Sequence, residues 1–363
     1  MPGSIGSSDT PDPVRSHLWV TILAGGVGSR FWPLSTPERP KQLLPLAGPQ
    51  SLVSDAVDRA LALVPEDRLR ILAGSELVTR LRDALPGLPA STYAVEPSAR
   101  GTAPVLAWAA SLLAGLDPDA VMVSLHSDHH IEPVGAFVDV VHAAAELAAR
   151  EDVLVTVGAR PDRPETGYGY IQVGESIATG FEAGAFRVGS FHEKPDSATA
   201  AEYLAAGHLW NTGIFVWTAA RFLEEIRRHA PEIGDHLQLL EDADPTAFFD
   251  AVPRISVDVA VMERSERVAV VPATFDWDDV GAWHSLFRTR PHDDADNAVV
   301  GDGHVVEGHG NVVFADDGPL VLFGVDDLVA VRTHGVTLVT TRERAPDLKS
   351  LLSRLPASVR DTP

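Results

Sequence analysis

Residues 23–46 read LAGGVGSRFWPLSTPERPKQLLPL. An apolar run from Trp19 to Leu23 leads directly into a turn with glycines at 25, 26 and 28, followed by Arg30 and, eleven residues on, Lys41. Glycine tolerates the backbone angles and the close approach that side chains forbid, so the N–H groups of such a turn can converge on phosphate oxygens. Arg30 and Lys41 add fixed positive charge, and together these are parts for holding a triphosphate. Two familiar nucleotide motifs do not account for the segment. Counting from Gly26, the sixth position of a dinucleotide fingerprint is Phe31, and no Gly-Lys-Ser/Thr follows to make a P-loop.

Composition narrows the setting. With 363 residues and 45% hydrophobic content, the chain is long enough for a full α/β domain and a smaller second unit. Residues 1–16 (MPGSIGSSDTPDPVRS) hold no apolar run and suit a disordered tail, not a signal peptide. No stretch approaches the ~18 continuous apolar residues of a membrane span, so a cytoplasmic enzyme with no membrane partner is expected. The absence of cysteine excludes disulfides, thiolate catalysis and thiolate-ligated metals, leaving oxygen-ligated cations. A formal net charge of −22 argues against a nucleic-acid partner, because those interfaces are rich in lysine and arginine. It also means that a polyanionic substrate must be held by local positive charge and a divalent cation.

Apolar runs at Trp19–Leu23, Leu69–Ala73, Ala120–Leu125 and Val153–Val157 alternate with helical patterns at Leu52, Val53, Ala56, Val57, Ala60 and Leu61 and in the alanine-rich stretch 102–115. The alternation predicts a mostly parallel sheet between helices, with ligands beyond the carboxyl ends of the strands. The glycine turn falls in that place. After about Asp293 the texture changes to valine pairs at 299–300, 305–306 and 312–313 between glycine- and aspartate-rich turns. These predict a solenoid or small β-domain, with further strands at 320–323, 328–331 and 336–339 and a final helix over 346–355. The expected organisation is a tail over 1–16, a main domain over 17–292 and a β-rich unit over 293–363.

The run GG-x-G-x-R-x-WPLS followed by PKQ-x-L resembles the signature of the sugar-nucleotide pyrophosphorylases, specifically the mannose-1-phosphate guanylyltransferases. The resemblance extends over roughly residues 18–355. It implies a Rossmann-like, GT-A-like nucleotidyltransferase with a mixed sheet flanked by helices and a small left-handed β-helix-like C-terminal domain. It also implies transfer of GMP from GTP to mannose 1-phosphate, giving GDP-mannose and pyrophosphate with Mg²⁺ as cofactor. A homodimer is an open expectation. Some longer relatives carry a fused isomerase domain, and that second activity is not expected here. Two rivals stand beside this reading: a nucleotidyltransferase for another sugar 1-phosphate, and a non-catalytic regulator that binds GDP-mannose.

The resemblance places the nucleotide on Ala24, Gly25, Gly26, Gly28, Ser29, Arg30 and Lys41, with Gly101 and Thr102 at the start of the alanine-rich helix. Arg30, Lys41 and Lys194 are expected to carry the chemistry. Glu96 suits guanine, whose N1–H and N2–H₂ are adjacent donors that one carboxylate can accept, a pair that adenine, thymine and uracil lack. Asp128, in VSLHSDHHI, could alone be a turn or cap residue; the family has an Asp-His pair after this strand whose aspartate binds Mg²⁺. The neighbouring His126, His129 and His130 suggest zinc, but carboxylates suit hard cations and the family uses no zinc. In FDWDDVGAW (275–283) three aspartates compete, and the family pattern Trp-x-Asp before a glycine selects Asp279 as the second metal ligand.

Three segments resemble the sugar half of the site: TGYGYI (166–171), FHEKP (191–195) and WNTGIF (210–215), which offer Gly169, Glu193 with Lys194, and Asn211. The segment SVDVAVME (256–263) also matches the family, but its apolar alternation makes packing at least as good an explanation, and it is left out of the site. Trp32 and Trp283 read as core. Two departures, Arg100-Gly101 before Thr-Ala-Pro and His192 before Glu193, bear on fine sugar or base preference.

Overall fold

The computed structural model describes residues 13–26 and 28–360. Its strands, in chain order, are β1 Leu18–Leu23, β2 Leu69–Gly74, β3 Tyr93–Glu96, β4 Val121–His126, β5 His130–Glu132, β6 Leu154–Ala159, β7 Gly169–Ser176, β8 Phe186–Glu193, β9 Leu209–Thr218, β10 Val268–Pro272, β11 Asp276–Asp278, β12 Ala298–Val306, β13 Val312–Phe323, β14 Leu328–Thr333 and β15 Val336–Thr341. β1 sits inside a nine-stranded sheet of order β3-β2-β1-β4-β9-β6-β10-β8-β7. All six of its side chains are buried, because each face is covered by helices. Leu18, Val20 and Ile22 join Val53, Val57 and Val141 in one core, while Trp19 and Leu23 join Leu106, Trp217 and Phe222 in the other. Burial of each such side chain stabilises by about 1.5–3 kcal/mol, and the period-2 geometry of a strand divides them between the faces.

The sheet is mixed, as the family resemblance implies, which corrects the mostly parallel reading of the alternating runs. β3, β2, β1 and β4 run parallel, as do β6 and β10, but β9 inserts antiparallel between β4 and β6. β7 and β8 are antiparallel as well. An apolar run reports that a strand is buried on both faces, not its direction. The helices follow the expected patterns. Helix Leu52–Leu61 starts at Ser51, whose hydroxyl accepts from Ser54 N–H at 3.3 Å, and helix Thr102–Leu116 buries alanines against β1 and β4.

At the N-terminus, the tail expected over residues 1–16 lies mostly outside the described residues. Pro13–Ser16, however, form one helical turn, and Val14 packs on the main core. In the C-terminal unit the valine pairs do not make separate strands. The first two lie within β12 and the third opens β13, which also absorbs the run expected at 320–323. β12, β13 and β14 stack in parallel, and the β12–β13 register jumps between Gly301 and Gly303 as the chain turns from one rung to the next. Asn297 and Asn311 form a buried ladder: the Asn297 side-chain oxygen accepts from Asn311 N–H at 2.9 Å, and the Asn311 oxygen accepts from Leu328 N–H at 3.0 Å. β15 folds back antiparallel on β14 and breaks the solenoid pattern. In place of one helix over 346–355 come a 3₁₀ turn at Ala345–Asp347, where Pro346 lacks the N–H that a helix interior needs, a helix at Leu348–Leu352 and a last helical turn at Ala357–Arg360.

This unit shares its core with the loops of the main domain. Phe31, Trp32, Leu34 and Leu44 from the glycine-rich segment and Val280 and Trp283 from the later aspartate loop pack with Phe314, Val329, Val331 and Leu348. Trp283 stands between them, its indole N–H donating to the Trp32 carbonyl at 2.9 Å and its ring centre 5.3 Å from both Phe31 and Phe314. Phe314→Ala is therefore expected to destabilise the whole chain by about 3–5 kcal/mol through the cavity it leaves. Urea unfolding followed by tryptophan fluorescence checks this, and a change confined to a separate C-terminal transition would show the two units to be uncoupled.

Candidate active site

The glycine-rich turn leaves β1 at its carboxyl end. Ala24 N–H is held by the Leu72 carbonyl at 2.9 Å, Gly25 and Gly26 are exposed, and Ser29–Phe31 form a single 3₁₀ turn that presents Arg30 to solvent. Gln42, buried, donates its amide to the carbonyls of Gly25 and Gly26. With those carbonyls turned inward, the loop is oriented around an amide that the motif contains but that was not singled out as a site residue.

Gly28 is left-handed (φ 76°), and a Cβ placed on it would lie 2.2 Å from the Lys41 Cβ. Only glycine allows Lys41 to pass. The Lys41 ammonium then reaches into a buried position, donating to Asp128 Oδ2 at 2.8 Å and to the main-chain carbonyl of Asp279 at 3.0 Å, with the Phe31 ring 5.7 Å away. Burial would raise the Asp128 pKa, but Lys41, His129 and His126 overcome it and hold the carboxyl at about 2. Asp279 is shifted the other way: burial, Asp278 and, more weakly, Asp128 push it up against the pull of Lys41 and Tyr168. Its Oδ1 accepts the Tyr168 hydroxyl at 2.6 Å. Lys41 thus ties the Asp128 carboxylate to the main chain at Asp279, two segments far apart in sequence. Asp278 faces away and is structural, accepting from Arg288 Nε at 2.5 Å and from Val280 N–H at 2.8 Å.

His126, Asp128 and His129 could offer three ligand atoms within 4.8 Å of one another. However, His129 Nδ1 accepts the Trp277 indole N–H at 3.2 Å, which puts the proton of the neutral ring on Nε2 and removes its lone pair from a metal. Burial holds both imidazoles below their ordinary pKa, His129 furthest.

The residues expected on the sugar side also converge. Gly169 pairs with Glu193 across β7 and β8, and a Cβ on Gly169 would lie 2.8 Å from Glu193 Oε2 and 3.3 Å from Asn211 Cβ. Lys194 is exposed, ion-paired with Glu193, and held at φ 49°. The Asn211 oxygen accepts from Thr156 Oγ1 at 3.0 Å and from Gly213 N–H at 3.2 Å, and its amide donates to Asp258 Oδ1 at 2.9 Å. Glu96 ends β3, two strands from β1 on the same carboxyl edge, half-buried with its pKa raised by burial. Gly101 and Thr102 dock on the segment around residue 256. A Cβ on Gly101 would meet the Ile255 carbonyl at 2.5 Å, and Thr102 Oγ1 accepts from Val257 N–H at 2.8 Å.

Asp258 is the residue that sequence reasoning left out. It opens a π-helical stretch, Asp258–Met262, and burial and the neighbouring Glu193 push its pKa up to about 6. Its signal was a lone acidic residue in an apolar alternation. A cleft of about 1560 Å³ lies nearby, but it is lined by Trp210 and Asp278, not by their neighbours Asn211 and Asp279, and touches none of the converging polar groups.

The Asp258 carboxyl, raised in the folded chain above 3.8, binds its extra proton only when folded. Its stabilising contribution is complete below about pH 4 and is lost as the pH rises through about 6. Between about pH 4.5 and about pH 7.5, Asp258→Asn should gain on the wild type by on the order of 2 kcal/mol in unfolding free energy. Urea titrations at the two pH values test it, and a constant difference would place the proton elsewhere.

Comparison with known proteins agrees with this fold. The nucleotidyl transferase family model matches residues 20–295, and a "MannoseP isomerase/GMP-like beta-helix domain" model matches residues 301–355. The chain is 36% identical over 361 residues to a mannose-1-phosphate guanylyltransferase of Escherichia coli, covering 95% of this chain and 75% of that one. It is 35% identical to the alginate biosynthesis protein AlgA of Pseudomonas aeruginosa, covering 93% and 72% respectively. A crystal structure from Thermus thermophilus, described as a mannose-1-phosphate geranyltransferase, superposes with a TM-score of 0.85 at 34% identity, over 93% of this chain and 99% of that one. No helix among the described residues is long and apolar enough to cross a membrane. The chain belongs to the nucleotidyl transferase family, alongside the mannose-1-phosphate guanylyltransferases.

Proposed function

We propose that the chain transfers GMP from GTP to mannose 1-phosphate, releasing pyrophosphate. One observation carries the reading: the Lys41 ammonium lies between Asp128 and Asp279 at the mouth of a glycine-rich loop, with a second cation, Lys194, at the sugar-side cluster. The identity of 35–36% over nearly the whole chain to curated guanylyltransferases supports the same substrates. The retention of Arg30, Lys41, Asp128, Lys194 and Asp279 counts against a purely regulatory binder.

In this reading the sugar phosphate is already an anionic nucleophile near neutral pH. Its oxygen bonds to the α-phosphorus as the bridging oxygen to the β-phosphorus departs with pyrophosphate, and no general base is needed. The task is to bring two polyanions together and to neutralise the charge of the leaving group. The N–H groups of the loop 24–29, with Arg30 and Lys41, bind the β- and γ-phosphates, and Glu96 accepts from the guanine edge. Gly169, Glu193 and Asn211 seat the mannose, and Lys194 steadies its phosphate. The donor set fits a hard divalent cation: Asp128, near enough to raise the pKa of the Asp279 carboxyl, and Asp279 itself offer the carboxylate oxygens that Mg²⁺ prefers. Asp128 and Asp279 would hold it, and when bound it supplies charge neutralisation along the phosphates.

Pyrophosphate release with Mg²⁺ across GTP, ATP, UTP and dTTP, each against mannose 1-phosphate and glucose 1-phosphate, tests the proposal. Release should be confined to GTP with mannose 1-phosphate and abolished by EDTA; no release with any pair while GDP-mannose still binds would favour the regulatory reading. Lys41→Ala should lower kcat/KM by on the order of 10²-fold or more, as loss of a transition-state charge partner does, while thermal unfolding stays cooperative. Wild-type turnover by that variant would reject the role.

A further inference from the structure

Tyr168 lies in a segment read as a glycine contact for sugar, yet its own side chain points elsewhere. The hydroxyl donates to Asp279 Oδ1 at 2.6 Å, and the main-chain carbonyl accepts from Lys194 N–H at 3.2 Å. The ring is wedged edge-on between Trp210 and Trp277, with centroids 5.1 Å and 5.0 Å away, and the Arg163 guanidinium closes the stack 4.8 Å above Trp210. Trp277 is in turn anchored through its indole N–H to His129, next to Asp128. Tyr168 is buried and cannot turn without disturbing these rings.

A carboxylate rotates readily about its Cβ–Cγ bond, and fixing one oxygen fixes the direction of the other. No hydrogen bond engages Asp279 Oδ2 among the described residues, and it lies 2.7 Å from where a Cβ on Gly281 would sit, so Gly281 leaves that oxygen room. We propose that Tyr168 is a positioning residue that aims the Asp279 carboxylate and, through its main-chain carbonyl, holds the Lys194 loop in register with it. One residue would then set the metal and sugar-phosphate subsites together. The inference rests on the metal reading proposed above and extends it to a group that touches neither substrate.

Tyr168→Phe removes one oxygen and keeps the ring. Partners that orient a ligand are typically worth 10–100-fold in metal affinity. We expect Mn²⁺, used in place of Mg²⁺ and titrated by electron paramagnetic resonance into protein saturated with GTP, to bind about tenfold more weakly to Tyr168→Phe than to wild type, with the melting temperature little changed. Tyr170→Phe is the matched control, since its buried hydroxyl has no partner among the described residues, and it should bind Mn²⁺ as wild type does. If Asp279→Asn weakens Mn²⁺ binding but Tyr168→Phe does not, or if Tyr170→Phe weakens it as much as Tyr168→Phe, the positioning role is overturned. If Asp279→Asn binds Mn²⁺ like the wild type, the metal assignment itself fails and takes this inference with it.

Discussion

A single buried ammonium organises the site. Lys41 crosses beneath Gly28, where no side chain fits, and ends between the Asp128 carboxylate and the Asp279 carbonyl. A carboxylate taken out of water is costly, and the fixed cation hydrogen-bonded to Asp128 relieves that cost. The contact also joins three segments distant in sequence, the glycine-rich loop, the end of β4 and the loop after β11. What surrounds it follows from keeping that cation in place: Gln42 turns the loop carbonyls inward, Phe31 lies under the lysine, and Tyr168 holds the free end of Asp279.

The C-terminal unit belongs to the same construction. Its solenoid-like rungs bury Phe314, Val329 and Val331 against Phe31, Trp32, Val280 and Trp283, residues adjacent to Arg30 and Asp279. Loops that carry function are usually positioned by a rigid scaffold, and here part of the scaffold comes from the end of the chain. The hydrogen bond from Trp283 to the Trp32 carbonyl places the glycine-rich loop and the aspartate loop on one fixed spacing.

The cluster of Gly169, Glu193 and Asn211 shows how much a motif conceals. Gly169, Glu193 and Asn211 were legible only through the resemblance of their three segments, in order, to the family, since each segment alone reads as a common turn or loop. Asp258 was not, although it hydrogen-bonds Asn211 and sits against Glu193, because the apolar alternation around it reads as packing. Tyr168 was quoted within its segment and passed over for its glycine neighbours. In both cases the informative property is the partner, which lies roughly 50 or 110 residues away and leaves no trace in the local pattern.

Sequence alone determined the buried β1 run, the glycine turn that ends it, the two helices at Leu52–Leu61 and Thr102–Leu116, and a β-rich end of different texture. Periodicity and glycine placement are local properties, dictated by steric limits on the backbone and by burial of apolar faces. Strand direction, the insertion of β9 between β4 and β6, the fusion of the valine pairs into two long strands and the pairing of Tyr168 with Asp279 were decided only in three dimensions. Each depends on which distant surfaces meet. Hydrogen bonds and Coulomb forces are short-ranged in space but indifferent to separation along the chain, so only the folded structure assigns their partners.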